Sequence, residues 1–316
     1  MKRQALKLIS GSGLSAQQWV EETARRFCDA GLFFGHGTDN ATDEAAWLVL
    51  AVMGQPPENV FSNWARVLDE TEEQLLKGML DRRINKHLPA AYVTGSMQFA
   101  GLEFEVNGDV LVPRSPIAEL IGEQFVPWVN PENVGRILDL CTGSGCIAVA
   151  TAKVFPEASV DAVDISLEAL AVARRNVDRH SLADRVDVIH SDLFQSLAGR
   201  LYDLIVANPP YVAEDSWREL PAEYHAEPIL GLLSGEDGLD ACLLILQQAH
   251  DYLTVDGVLI CEVGESDQRL ATLLPNVPFT WLEFVQGGYG VFVLSRQQLS
   301  DASEQISQIL MTREQV

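Results

Sequence analysis

Long apolar runs are missing from this chain, and so are the usual marks of an export signal. No stretch of about 18 apolar residues occurs among its 316 residues, so we expect no transmembrane helix. The first ten residues are too short and too interrupted by Lys and Arg to serve as a signal peptide. A cytoplasmic location is therefore the expectation.

Cysteine is sparse, and its spacing does not suggest pairing. There are five cysteines, an odd number, and no Cys-x-x-Cys motif occurs. This pattern disfavours a disulfide framework and a zinc site, so no metal is expected. Most of the five lie in apolar runs, where cysteine behaves as a small buried hydrophobe in a reducing compartment. The five are Cys28, Cys141, Cys146, Cys242 and Cys261.

Basic residues are also scarce, with 22 Lys and Arg against 45 Asp and Glu. The resulting net charge of −23 is uneven, because residues 1–90 hold 10 basic and 12 acidic residues and the rest of the chain holds nearly all the excess. An acidic surface repels phosphate backbones and attracts basic partners, although acidity can also serve solubility alone. Direct binding of DNA is therefore not expected.

The hydrophobic content of 47% permits a sizeable core, and the first 90 residues have helical periodicity. Helices are predicted at 15–30 and 42–53, and a third is predicted to start at a capping box formed by Thr71-Glu72-Glu73-Gln74. Nothing catalytic stands out in this part of the chain. We interpret residues 1–90 as a helical domain that recognises a substrate.

Residues 91–115 alternate apolar and polar residues, and Asn107-Gly108 is a typical hairpin turn. A β-hairpin linker is predicted there. The region 116–300 then alternates strands and helices, which is typical of an α/β fold with a doubly wound, mostly parallel sheet. Residues 301–316 are predicted to be a polar tail, either a surface helix or disordered. The predicted strands are 136–140, 159–163, 186–189, 204–207 and 258–263, followed by an antiparallel pair at 281–285 and 291–294.

Polar residues stand at four successive strand ends, where doubly wound sheets bind ligands. Asp139 opens a glycine-rich turn, and Asp164, Asp192 and Asn208 follow the next three strands. The turn does not match the Gly-x-Gly-x-x-Gly pattern of dinucleotide sites. Alone, each feature has a structural alternative: a tight turn, a helix cap before Ser166, or a loop acid. Together they indicate a cofactor site.

Asn208-Pro209-Pro210-Tyr211 is the most informative segment. An amide nitrogen is a poor nucleophile, so an enzyme that modifies one must hold it in line with its reaction partner. The Asn208 side-chain oxygen and the Pro209 carbonyl could accept its two hydrogens, while paired prolines stiffen the backbone and Tyr211 packs against the planar group. We interpret these four residues as catalytic; a rigid turn is the alternative.

Residues 136–212 resemble the class I S-adenosylmethionine-dependent methyltransferases. The resemblance implies that Gly143 and Gly145 approach the methionine part of S-adenosylmethionine, and that Asp164 binds the ribose. It implies that Asp192 and Leu193 flank adenine. Cys141 departs from the family's glycine, and the turn is expected to persist if its φ is negative. The residues predicted to bind S-adenosylmethionine, and to release S-adenosylhomocysteine, are Asp139, Thr142, Gly143, Ser144, Gly145, Asp164, Asp192, Leu193 and Asn208.

Over residues 15–296, the helices, hairpin and the segment 111–121 (LVPRSPIAELI) resemble the HemK/PrmC family of glutamine methyltransferases. That segment, Cys141 and 225–228 (HAEP) are most similar to the PrmB branch, which acts on ribosomal proteins. This implies a seven-stranded-type methyltransferase domain at 116–300 and methylation of a glutamine in large-subunit ribosomal protein three, a basic partner. The alternatives are the Gly-Gly-Gln loop of release factors and, less favoured, the amino group of adenine in DNA.

Arg114 and Glu227 are further candidates for substrate binding. Arg114 could line the cleft or pair with an acid near the domain junction, where an ion pair would be structural. Glu227, followed by Pro228, could form a wall behind the acceptor loop or a simple turn. Glu262-Val263-Gly264 ends the next strand and is interpreted as scaffold near the site.

Overall fold

The computed structural model describes residues 13–55 and 64–313. The chain divides into two compact units, Met1–Gly95 and Ser96–Val316. The hairpin, which we had placed in a linker, is part of the second unit. No helix within the described residues has both the length and the apolarity that a bilayer span requires.

The first unit is helical, which confirms this part of the predicted fold class. Its core is built from one face of each long helix, including the fully buried Trp19, Phe27, Leu48 and Leu76. The helices are α1 (Ala16–Ala30), α2 (Ala41–Val52), α3 (Glu70–Lys86) and α4 (Ala90–Thr94).

The capping box of α3 lies two residues earlier than predicted. The Asp69 carboxylate accepts a hydrogen bond from the backbone N–H of Glu72 (2.9 Å), and the Glu72 carboxylate accepts one from the N–H of Asp69 (3.0 Å). The prediction from Thr71 was wrong, because Asp caps a helix as well as Thr does and here places a glutamate at the third helical position.

The hairpin of the second unit is formed by β1 (Ser96–Phe99) and β2 (Leu102–Glu105), which pair antiparallel. It turns at Ala100 and Gly101, both with positive φ (48° and 75°), and the turn predicted at Asn107-Gly108 was wrong. The Asn107 side chain instead accepts a hydrogen bond from the N–H of Asp109 and closes a local turn after β2.

The second unit contains a seven-stranded sheet with the order β5-β4-β3-β6-β7-β9-β8, and this confirms the predicted doubly wound fold. Neighbouring strands from β5 to β7 are parallel, while β9 runs antiparallel to β7 and β8. Chain order reverses between β3 and β6, so their carboxyl ends flank a crevice. The strands are β3 (Arg136–Leu140), β4 (Ser159–Asp164), β5 (Val186–His190), β6 (Tyr202–Ala207), β7 (Leu253–Glu262), β8 (Thr280–Trp281) and β9 (Val291–Ser295).

Helices cover both faces of this sheet and bury two apolar layers. The helices are α5 (Ile117–Gly122), α6 (Cys146–Val154), α7 (Leu167–Arg179), α8 (Glu214–Glu219), α9 (Asp240–Tyr252), α10 (Asp267–Leu273) and α11 (Arg296–Arg313). The segment predicted as a polar tail from residue 301 lies mostly within α11. Ala302 and Ile306 are buried in the core there, because a polar sequence can still carry a narrow apolar stripe at helical spacing.

Candidate active site

A cavity of about 390 Å³ lies at the carboxyl ends of β3, β4 and β6, within the size range of small-molecule sites. Seven successive residues after the hairpin, 109–115, form one wall. The other lining residues include 141–144, 163–166, 191–193, Asn208, Pro210, Pro228, Leu230, Gly231 and Leu244. The structure therefore brings most of the predicted cofactor residues and the start of the predicted acceptor segment to one place.

The glycine-rich turn after β3 begins with a left-handed residue. Cys141 has a φ of 60°, so the condition under which the turn was expected to persist, a negative φ, is not met, and the turn forms nevertheless. A non-glycine residue in this conformation costs about 1–2 kcal/mol. The turn is held by its surroundings, since the N–H of Thr142 donates to the Val163 carbonyl (2.9 Å) and that of Gly145 donates to the Thr142 carbonyl (2.9 Å).

Asp164, at the end of β4, binds the backbone on two sides. One carboxylate oxygen accepts from the N–H of Gly143 and the other accepts from the N–H of Ser166, both at 2.9 Å. Asp164 lies in the cavity wall, but it does not cap α7, because the N-cap is Ser166, whose hydroxyl accepts from the N–H of Ala169. Burial raises the pKa of Asp164, and these backbone donors oppose that rise.

Asp139 lies beneath the turn and is not among the residues that line the cavity. One of its oxygens accepts from the Thr142 hydroxyl (2.5 Å) and from the N–H of Ala148 (2.9 Å). The other oxygen is buried and has no partner within the described part of the chain. Desolvation raises the pKa of Asp139 to about 7, against the effect of these two hydrogen bonds.

Because the pKa of Asp139 is higher in the folded chain than in the unfolded chain, the free energy of unfolding depends on pH. The folded chain holds a proton that the unfolded chain releases near pH 3.8, so the contribution of Asp139 to stability is fully present below pH 3.8 and is lost as pH rises to about 7. Asp139→Asn should remove this loss, which amounts to about 1.4 kcal/mol for each unit of pKa difference. Urea unfolding of both proteins between pH 4 and 8 measures it, and parallel stability curves would contradict it.

The segment after β5 gives the cavity a partly apolar edge. Asp192 is exposed, and its carboxylate accepts from the Gln195 side chain (3.0 Å). Leu193 has a φ of 44°, which turns the chain into the cavity wall. The placement of both side chains is compatible with the predicted adenine site.

Asn208 follows β6 directly and lines the cavity. Its side-chain oxygen is buried and has no hydrogen-bond partner among the described residues. Leaving such an acceptor unpaired costs about 1–3 kcal/mol, so this oxygen is suited to a donor from a ligand. Pro210 also lines the cavity, whereas Pro209 and Tyr211 are not among the residues that line it.

Tyr211 is held in place by residues far away in the sequence. Its hydroxyl donates to one oxygen of Glu262 (2.9 Å), and the Ser115 hydroxyl donates to the other (2.5 Å). A Cβ atom on Gly264 would lie 2.6 Å from the Tyr211 ring, so only glycine fits there. Burial raises the pKa of both Tyr211 and Glu262. The sequence analysis did not predict that Ser115 and Glu262 hold Tyr211. The position of Glu262 at the end of β7, next to β6, could have indicated a residue close to the acceptor segment.

Arg114 and Glu227 form a two-pronged ion pair, with N–O distances of 2.7 and 3.0 Å. The Arg114 guanidinium also lies 5.3 Å from the centre of the Tyr224 ring. Glu227 is buried and raises the pKa of Arg114 against the opposing effect of desolvation. Arg114 therefore both pairs with an acid and lines the cavity. No group of three or more His, Cys, Asp or Glu that could hold a metal ion occurs in the described ranges.

The reversed strand order, the glycine turn after β3 and the Asn-Pro-Pro-Tyr segment after β6 define a methyltransferase of the doubly wound α/β class. Two family descriptions match the chain: "Methyltransferase small domain" at residues 122–221 and "PrmC N-terminal domain" at residues 18–95.

Three similar proteins are each named ribosomal protein uL3 glutamine methyltransferase. One, from Xanthomonas campestris pv. campestris, is 50% identical over 289 residues, which span 91% of this chain and 93% of that protein. Two come from strains of Xylella fastidiosa, at 50% identity (87% and 88% of the two chains) and 47% identity (92% and 93%). This chain belongs to the family of ribosomal protein uL3 glutamine methyltransferases, which confirms the resemblance to the ribosomal-protein branch.

Proposed function

We propose that this protein transfers a methyl group from S-adenosylmethionine to the side-chain amide nitrogen of a glutamine in ribosomal protein uL3. The observation that carries this proposal is the side-chain oxygen of Asn208, which is buried and has no partner in the part of the chain that the structure describes. Asn208 lines the same cavity as the glycine turn and Asp164. An amide N–H donor is the ligand group that such an acceptor lacks.

The donors and acceptors of the cavity fit S-adenosylmethionine. Asp164 retains lone pairs for ribose hydroxyls, since a carboxylate has about four acceptor positions and its backbone donors do not use all of them. Thr142, Gly143 and Ser144 would flank the methionine part, with Asp139 and Gly145 supporting the turn, and Asp192 and Leu193 would flank adenine. When bound, this cofactor supplies a methyl group already activated by its positively charged sulfur. No metal is part of the proposal.

The residues of the acceptor segment position the amide nitrogen. Asn208 would accept one N–H and the Pro209 carbonyl the other, which draws the nitrogen towards a tetrahedral geometry. Pro210 and Tyr211 keep the segment rigid, so the acceptors are already oriented before the substrate arrives. No general base is required before the transfer, because the nitrogen can release its proton afterwards.

The acceptor protein is proposed to be basic, as the acidic excess of residues 91–316 favours. Residues 1–90 are proposed to recognise it, and residues 116–300 to carry the chemistry. Arg114 and Glu227 would shape the wall that the acceptor contacts. We place this reaction in the cytoplasm and expect no direct contact with DNA or a membrane.

A transfer assay with radiolabelled S-adenosylmethionine tests the acceptor directly. Purified uL3, a release factor and duplex DNA are offered separately, and label is expected in uL3 alone. Peptide mass spectrometry then identifies a methylated glutamine. Label confined to the release factor or the DNA would overturn the proposed acceptor, and no label in any of them would overturn the proposed activity.

Tyr211→Phe tests whether the hydrogen bond to Glu262 holds the acceptor segment. The change leaves one buried oxygen of Glu262 without its donor, which costs about 1–3 kcal/mol. We expect kcat to fall by about tenfold, the equivalent of 1.4 kcal/mol, with little change in cofactor affinity. Tyr289→Phe is a matched control, because that hydroxyl also contacts a glutamate but is more exposed. Equal kcat values for the two variants would contradict the expectation.

A further inference from the structure

Helix α7 carries a fully buried asparagine on an otherwise apolar face. Asn176 is 0% exposed, and its neighbours on that face include Ala173 and Val177. Burying an amide costs free energy unless its donors and acceptor are satisfied. The contacts of Asn176 therefore indicate what it contributes.

The amide of Asn176 binds both the glycine turn, which lines the cavity, and Glu105 at the end of β2, which does not. Its nitrogen donates to the Ser144 carbonyl (2.8 Å) and to the Glu105 carbonyl (2.9 Å). Its oxygen accepts from the N–H of Glu105 (2.7 Å). Both amide hydrogens are thus used, and the side chain pairs with Glu105 as a neighbouring strand would.

One of these partners belongs to the glycine turn. Ser144 is buried and lines the cavity between Gly143 and Gly145. Helix α7 also packs against this turn at Ala173, about one helical turn before Asn176. A Cβ atom on Gly145 would lie 3.2 Å from the Cβ of Ala173. The turn therefore rests on α7 through close packing and one hydrogen bond.

The other partner, Glu105, is the last residue of β2 and precedes the wall segment 109–115. That segment carries Arg114 and Ser115, whose side chains reach Glu227 and Glu262. Asn176 therefore fixes the end of the hairpin, from which the chain continues into segment 109–115, and it also binds the glycine turn.

We propose that Asn176 is a positioning residue that sets the spacing between the glycine turn and the wall segment 109–115. It does not touch the substrate. It binds the glycine turn and the end of β2 to the same helix, α7. The inference rests on the proposed cofactor site. Without Asn176 the glycine turn and the wall could shift independently, and the bound methyl donor would lose its alignment with the acceptor nitrogen.

The test compares Asn176→Ala and Asn176→Asp with Val177→Ala in the full-length protein. Asp retains the acceptor for the Glu105 N–H but cannot donate to Ser144 when ionised. Both Asn176 variants should raise the Kd for S-adenosylhomocysteine by about tenfold, the scale of one hydrogen bond, and lower kcat. Val177→Ala removes buried methyl groups from the same helix and should reduce stability without changing Kd or kcat. Unchanged Kd and kcat in the folded Asn176 variants, or equal shifts in Val177→Ala, would overturn the proposal.

A measurement on the unmodified protein keeps the test decisive if the variants do not fold. S-adenosylhomocysteine should slow amide hydrogen exchange in β2, although none of its described residues lines the cavity. Unchanged exchange in β2 on binding would overturn the role of Asn176 alone. Failure of the unmodified protein to bind S-adenosylhomocysteine would instead overturn the proposed function.

Discussion

Replacing Asn208 with alanine should lower kcat for glutamine methylation by about 10²–10³-fold, the loss seen when one preorganised hydrogen-bonding group is removed from a reaction centre. The reason is that its buried oxygen has no partner among the described residues, and that Asn208 lines the cavity in which we propose the amide lies. Affinity for S-adenosylhomocysteine should change much less, because the glycine turn and Asp164 remain. Single-turnover kinetics and calorimetry measure the two quantities separately.

Asn130→Ala is a suitable control for that experiment. The Asn130 side chain accepts a backbone hydrogen bond from Glu132, is exposed and does not line the cavity. Its replacement should leave kcat unchanged. An Asn208→Ala protein with the activity of the unmodified enzyme would show that this oxygen does not hold the acceptor, and the proposed chemistry would then lack its main support.

Glu44→Ala is expected to have the largest effect on stability. Glu44 and Arg83 form an ion pair at 2.6 Å with each side chain only 1% exposed. Replacing Glu44 breaks this ion pair in the core of the helical unit, and breaking a buried ion pair by removing one partner costs about 3–5 kcal/mol. Urea unfolding of the full chain, followed by tryptophan fluorescence and circular dichroism, measures the loss.

The control for this second experiment is Asp29→Ala. The Arg25–Asp29 pair has the same 2.6 Å separation, but both side chains are exposed, and exposed pairs contribute little. Equal unfolding free energies for the two variants would contradict the expectation. The comparison also tests the proposed domain function: Glu44→Ala should impair methylation of uL3 while the second unit still binds S-adenosylhomocysteine. Undiminished methylation of uL3 by a chain with an unfolded helical unit would show that residues 1–90 do not recognise the acceptor.

Features that depend on a few consecutive residues were predicted well. Helix α1, predicted at 15–30, spans Ala16–Ala30 with Ser15 as its N-cap, and the strand ends at Asp164 and Ala207 lie where the change from apolar to polar residues placed them. Two local predictions failed for a common reason. Asp69 and Thr71 are both good caps, and Ala100-Gly101 and Asn107-Gly108 can both turn a hairpin, so local chemistry left two solutions for each.

The sequence by itself determined the fold class, the order of the strand-end residues and the presence of the Asn-Pro-Pro-Tyr segment, because periodicity and turn chemistry act over a few residues. Only the tertiary structure decided how that segment is held. Ser115 and Glu262 are 147 positions apart, and Arg114 and Glu227 are 113 apart, and no spacing rule pairs residues over such distances. The sequence alone likewise does not identify Asn176, which is one of several polar residues in an amphipathic helix. Only the packing of α7 brings Ser144 and Glu105 against its amide. Cys141 likewise adopts positive φ because the surrounding hydrogen bonds, not its own preference, determine the turn.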